Sequence, residues 1–458
     1  MKKRKEIAIK AAILAVAVGA AFGAPSPVVA AGPVTSDTEV QLYGHLDLSV
    51  DDATKGIAGR NNPAGPGMAM GRLGWQSDVA SNLSYFGLRG GHDLGAGSGL
   101  KAVFQIETQV DVAATPGPSH SNSSDDAQVK GALGSRNSYL GIAGGFGAIK
   151  AGKTDAPYKL STARMDPFSA TVGDYNSIMG NTGGDNRAEF DTRISHAVWY
   201  ESPKMGGFSL SALASPSQNR NVDQLDTASG EPTCAGGNNP VNGGVPGTCN
   251  DGSFGNAYSL AGVFDSGPVY AILAYELHKN VNRTGDETGA VPMGAVGIVD
   301  EYAWKAGVQY KLPTNTTVNL IGEKMVRNAP NPNFNERDRK GYWLALTQKV
   351  TPQDDINLGW AHAGKTPGDV GTNRSDGTTA AGPVDNEANM YTAGYKHHFA
   401  DKQTTWYFVY ARQDNHKGAH YDLGASGHGI TTDCKDGNAN CFAGSTLQAV
   451  SIGMTYNF

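Results

Sequence analysis

The residues with the widest chemical reach in this 458-residue chain are its four cysteines and eleven histidines. Cys234 and Cys249 lie in one Gly/Asn/Pro-rich stretch, Cys434 and Cys441 in another. Four thiolates can hold a metal, but separations of 15 and 7 residues match no usual zinc knuckle. Two loop-stapling disulfides are the expected arrangement if the chain is exported to an oxidising compartment. Closing the larger loop would then contribute ~3 kcal/mol in the chain-entropy model. His397 and His398 are adjacent, and His416 and His420 share a polar segment. Either pair offers at most a weak metal site, and solvated loop histidines are far commoner. No Gly-x-Ser-x-Gly elbow and no phosphate-cradling loop ending in Lys-Ser/Thr occurs. The reading is therefore of a protein that is not an enzyme, with no cofactor and no metal.

Export is legible at the start of the chain. Lys2, Lys3, Arg4 and Lys5 form a basic head, Ala11 to Ala24 an apolar core, and Val28-Val29-Ala30-Ala31 a small-residue exit. That order is a secretory signal peptide over residues 1–30, with cleavage after Ala30 or Ala31. Cleavage after Ala24 would leave Pro25 first, and a retained anchor would need a longer apolar run. The whole chain has a net charge of −6. Residues 1–30 hold five Lys/Arg and one Glu, so the remainder carries 32 basic and 42 acidic residues, a net of −10. An acidic surface disfavours nucleic acid as a partner and favours cations if ions pass at all.

The elements that must position any site are strands. Val40, Leu42, Leu46, Leu48 and Val50 alternate with Gln41, Tyr43, His45, Asp47 and Ser49, the period-two pattern of a strand with one apolar face. Sixteen such segments are expected: 38–51, 82–93, 98–110, 135–144, 147–153, 191–202, 207–215, 256–265, 267–278, 301–311, 314–326, 338–350, 353–363, 388–399, 402–412 and 445–458. Tight turns alternate with long polar loops, as in outer-membrane barrels. After residue 30 no apolar run reaches the ~18 residues of a spanning helix, so an exported chain crosses lipid only as a closed barrel. Trp199, Tyr200, Tyr310, Trp360, Trp406 and Tyr456 are candidates for the interfacial girdles. A soluble sandwich rarely needs sixteen strands, and a solenoid would show a fixed repeat. The chain ends on a strand whose last residues, Tyr456 and Phe458, resemble the signal read by barrel assembly machinery.

From Leu42-Tyr43-Gly44 through Phe86-Gly87-Leu88-Arg89-Gly90-Gly91, Ser135-Arg136-Asn137-Ser138-Tyr139, Asp166-Pro167-Phe168 and Val198-Trp199-Tyr200-Glu201-Ser202-Pro203 to the terminal Gly453-Met454-Thr455-Tyr456-Asn457-Phe458, the chain resembles the general Gram-negative porins. The resemblance covers nearly all of residues 31–458. It implies an all-β transmembrane antiparallel barrel of 16 strands, 18 if a hairpin hides within 216–255 or 413–444. It implies short periplasmic turns, long extracellular loops, and a third long loop, 154–190, folded into the lumen as a constriction.

By the same resemblance, Arg136 and Arg193 stand where the family places wall arginines. His45 stands where a first-strand lysine often lies, and Tyr85 replaces another commonly basic position. Arg89, four residues later on the same face, partly compensates. Asp166 and Asp174 are candidates for the acidic side of the constriction loop, followed by Asp155 and Asp185. The alternative for each arginine is a structural ion pair with a wall carboxylate such as Glu107. The expected partners are a homotrimer, outer-membrane lipid and lipopolysaccharide, and the assembly machinery, in the outer membrane of a Gram-negative bacterium. Loop 111–134 either latches a neighbouring subunit or is a solvated surface loop. The expected function is passive diffusion of ions and small hydrophilic solutes, with mild cation preference. The alternatives are a substrate-selective porin for a sugar, amino acid or oxyanion, and a structural or adhesive barrel.

Overall fold

The computed structural model describes residues 38–54, 75–95, 97–113, 133–180, 190–216, 256–281, 299–327, 338–365, 385, 387–416, 419, 421, 423, 444 and 446–458. The signal segment 1–30, Asp185 and all four cysteines lie outside the described residues, as does most of loop 111–134.

The strands are β1 (Thr38–Thr54), β2 (Trp75–Ser81), β3 (Tyr85–Asp93), β4 (Lys101–Gln109), β5 (Ser138–Gly144), β6 (Gly147–Asp155), β7 (Arg193–Glu201), β8 (Phe208–Ser215), β9 (Asn256–Ser266), β10 (Val269–Val281), β11 (Val299–Lys311), β12 (Thr316–Arg327), β13 (Arg339–Lys349), β14 (Asp354–Ala363), β15 (Ala388–His398), β16 (Thr404–Asn415) and β17 (Thr446–Asn457). Each is antiparallel to its neighbour, and β1 pairs with β17, closing the sheet. β1 also pairs with both β2 and β3. These two are halves of one stave, interrupted where Leu83 takes φ 54° and the Asn82 amide donates to the Asp47 carbonyl at 2.9 Å. Seventeen segments therefore make a 16-stranded barrel. The second stave begins at Trp75, earlier than the expected 82, because the polar run Gln76-Ser77-Asp78 reads as loop.

Closure follows from the solvent. Hydrocarbon offers no partners to an open edge. The last residue completes the ring: the Gly44 amide donates to the Phe458 carbonyl at 2.9 Å, and the Phe458 amide donates back to Gly44 at 3.1 Å. The Phe458 ring lies over Gly44, where any Cβ would collide with it. Leu42, Val50, Leu140, Leu320, Leu358 and Met454 are exposed on the outer face. Trp199 is a correction: it is 4% exposed, points inward and packs edge-on to Tyr139.

The apolar core sits inside the barrel rather than between layers. The segment after β6 turns inward through α1 (Pro157–Leu160) and two 3₁₀ turns, Ala163–Met165 and Tyr175–Ser177. Its Met165, Phe168, Val172, Tyr175, Ile178 and Met179 are buried in one cluster with inward-facing wall residues Tyr270, Ile272, Trp343, Met390 and Val409. One side of the inner wall is apolar because the loop is seated on it.

Candidate functional site

The inward loop holds itself in shape with its own carboxylates. Asp166 accepts the Phe168 amide at 2.9 Å and the Tyr175 amide at 3.2 Å. Asp174 accepts the Ala170 amide at 3.0 Å and the Asn176 amide at 2.9 Å, capping the second 3₁₀ turn. Both side chains are buried. Burial, then the neighbouring Asp174, pushes the Asp166 carboxyl well above the usual carboxylate range, against two amides that favour its ionised form. Both carboxylates shape the loop.

One side of the lumen is sealed against the loop. Trp343 donates its indole N–H to the Met165 carbonyl at 3.1 Å. Glu323 accepts the Gly180 amide at 2.6 Å and the Tyr158 hydroxyl at 3.3 Å. Arg339 donates to the Ile178 carbonyl at 2.6 Å and to the Tyr421 hydroxyl at 2.5 Å. At the loop's return, Lys305 pairs with Asp191 and lies 4.1 Å from the Tyr158 ring centroid. Phe190 stacks on His278, which sits between Glu276 at 3.0 Å and Glu301 at 2.9 Å. Buried charges persist only when paired, and here the pairs clamp both ends of the loop to β10–β13. Lys305, Glu323 and Arg339 meet the loop from inward faces of their strands, and pairing across 114 to 161 residues has no sequence signal.

The opposite side stays wet, and most of the expected site residues gather there. Arg136 donates to Glu107 at 2.7 Å, and its guanidinium lies 4.5 Å from the Tyr85 ring centroid. Tyr43 donates its hydroxyl to the same Glu107 at 2.9 Å. Arg89 donates to Gln41 at 3.0 Å and stacks 4.6 Å from the Tyr43 ring centroid. His45 bonds Asn457 at 2.8 Å and lies 5.6 Å from Tyr85, ring to ring. Arg193 pairs with Asp155 at 3.1 Å and donates to the Asn137 side-chain oxygen at 2.8 Å. Lys159 pairs with the other Asp155 oxygen at 3.0 Å. The side chains of His45 and Arg193 keep 20% and 19% exposure, whereas Lys305, Glu323 and Arg339 keep none. His45 and Arg193 thus stay partly open to water, whereas the groups clamped to the loop are closed to it.

Arg136 with Glu107, and Arg193 with Asp155, thus stand as ion pairs on the wet wall, while Asp166 and Asp174 accept bonds from the loop's own amides. Lys396 on β15 was missed. It is the register partner of Asp355 on β14. Its inward face, shared with Thr392 and Gly394, was the signal that would have found it.

A closed barrel with a loop seated inside and a charged, wetted wall opposite defines an outer-membrane β-barrel of porin architecture. The Gram-negative porin family model matches residues 15–418, and the chain belongs to that family and to the outer membrane. The major outer membrane protein P.IA of Neisseria meningitidis is 28% identical over 204 residues, 42% of this chain and 46% of that protein. The chain thus spans about half the length of the curated relatives it matches. Among solved structures, the anion-selective porin from Comamonas acidovorans covers 92% of this chain over its whole length, at 20% identity and TM-score 0.61. The trimer form of OmpT from Vibrio cholerae covers 92% of this chain and 100% of its own, at 13% identity and TM-score 0.52. These two likenesses establish the shared fold.

Proposed function

We propose that the protein is a water-filled channel for passive diffusion of ions and small hydrophilic solutes, working as a homotrimer in contact with outer-membrane lipid and lipopolysaccharide. The observation that carries this reading is the asymmetric lumen: a loop clamped to one wall, and solvent-accessible charged groups on the other. Selectivity then comes from lining charge and width, with no reaction. Arg136, Arg193, Arg89, His45 and Tyr85 line the passage on this reading, with Lys396 added. Glu107 and Asp155 offset the two wall arginines, so the net charge of −10 outside residues 1–30 tips the passage toward mild cation preference. Tyr456 and Phe458 serve as the signal for the assembly machinery. The trimeric state draws support from the trimer form of the OmpT neighbour.

A second reading, a substrate-selective porin, is favoured by one feature. Tyr43 and Tyr85 stack under Arg89 and Arg136, a polar-aromatic track suited to a planar or anionic solute. Liposome swelling with a graded series of neutral sugars, amino acids and oxyanions separates the two. Diffusion predicts entry rates that fall smoothly with solute size. One solute entering far faster than its size allows would favour the selective reading. No swelling from folded protein would reject both.

A further inference from the structure

The geometry points to a site for a divalent transition-metal cation of the zinc class, built from Asp385, Glu387 and His416. It lies where β14, β15 and β16 run into the long connections 364–387 and 416–445. Among the described residues, these three form a group of imidazole and carboxylate donors whose ligand atoms all lie within 4.8 Å of one another. The His416 Nδ1 stands 3.1 Å from an Asp385 oxygen and 3.8 Å from a Glu387 oxygen. The sheet fixes two of the three. The His416 amide donates to the Glu387 carbonyl at 2.9 Å, one step beyond the Ala388–Asn415 pair of β15 and β16. Asp385 is steadied from the end of β14, where Lys365 lies 3.3 Å from its other oxygen. His420 lies outside the described residues, and His416 finds its carboxylate partner 31 residues earlier in the chain.

An ion pair alone does not account for both distances. The shorter one suits a hydrogen bond and the longer one does not, so the imidazole serves one carboxylate and falls short of the other. Ligands about 2.0–2.1 Å from a tetrahedral ion sit about 3.4 Å apart, and the two distances bracket that value. One imidazole nitrogen and two carboxylate oxygens leave a fourth position for water, a three-ligand set that zinc accepts. The imidazole selects against magnesium and calcium, which take oxygen ligands. The two carboxylates balance the charge of the ion. Lys365 engages the Asp385 oxygen that faces away from His416, so it need not be displaced. A bound ion would tie the bases of two long connections to each other.

The test does not depend on conductance. Folded, metal-stripped protein in detergent, with any free thiols alkylated, is titrated with zinc chloride by isothermal titration calorimetry in excess magnesium. One zinc per chain should bind. His416→Ala and Glu387→Gln should each weaken binding about tenfold or more. Zinc should also raise the unfolding temperature of the wild type and leave that of His416→Ala unmoved. Heat-modifiable migration on gels confirms that each variant is folded. No saturable uptake would overturn the proposal. Uptake abolished by magnesium would also overturn it, since the cluster would then attract counter-ions only. Equal affinity in wild type and both variants would do the same, because the zinc would be held elsewhere.

Discussion

Replacing Trp343 with Ala is expected to raise single-channel conductance and current noise while leaving the barrel folded. Trp343 is 1% exposed and lies under the inward loop, 5.6 Å from the Tyr175 ring and 6.3 Å from the Phe168 ring, centroid to centroid. Removing a large buried aromatic costs about 3–5 kcal/mol, and the Met165 carbonyl loses its donor, a further ~1–3 kcal/mol. The strand ladders of β13 are untouched, so the cost falls on the loop rather than on the wall. Trp343→Phe keeps most of the packing and should behave nearly as wild type. Planar-bilayer recordings decide it. Folded Trp343→Ala protein with unchanged conductance would mean that the loop does not limit flow.

Deleting Phe458 is expected to reduce folded barrel in the outer membrane by about tenfold or more. Two backbone hydrogen bonds to Gly44 disappear, each contributing ~0.5–1.5 kcal/mol net. The ring, stacked 5.9 Å from Tyr456 and 36% exposed, disappears with them, a loss of roughly 1–2 kcal/mol of apolar burial, below the figure for a fully buried ring. Every 1.4 kcal/mol is tenfold, so even the lower bounds together exceed that factor. Phe458→Ala keeps the backbone bonds and loses only the ring. A defect as large as the deletion's would place the effect on the ring, a smaller one on closure. Membrane fractionation with heat-modifiable migration provides the readout, and normal folded yield from the deletion would contradict the closure argument.

The wall was legible in the sequence because lipid imposes one rule on every stave. Apolar side chains must alternate outward, as Leu42, Leu48 and Val50 do, and the turns must punctuate that alternation. The rule failed where a polar run continued a strand, at Gln76-Ser77-Asp78, and where an inward position was aromatic, at Trp199. The lumen was less legible. The inward fold of loop 154–190 was inferred from a resemblance, and the residues that hold it were not. Lys305, Asp191, Glu323 and Arg339 are ordinary alternating polar positions until the barrel brings them together. Glu107 was named only as an alternative partner for the arginines, and the structure pairs it with Arg136. Asp166 and Asp174 show the reverse difficulty: acidic residues on a loop read as pore charges, while the backbone amides two to nine residues away use their oxygens.

The central claim is that the wetted side of the lumen conducts. Single-channel conductance of purified, refolded protein in planar bilayers, with reversal potential under a KCl gradient, tests it most directly. The account predicts stepwise triplet openings and a potential whose sign marks mild preference for potassium over chloride. Anion preference would contradict the charge argument and leave the channel standing. Nil conductance from verified, folded trimers would contradict the channel itself and favour a structural or adhesive barrel.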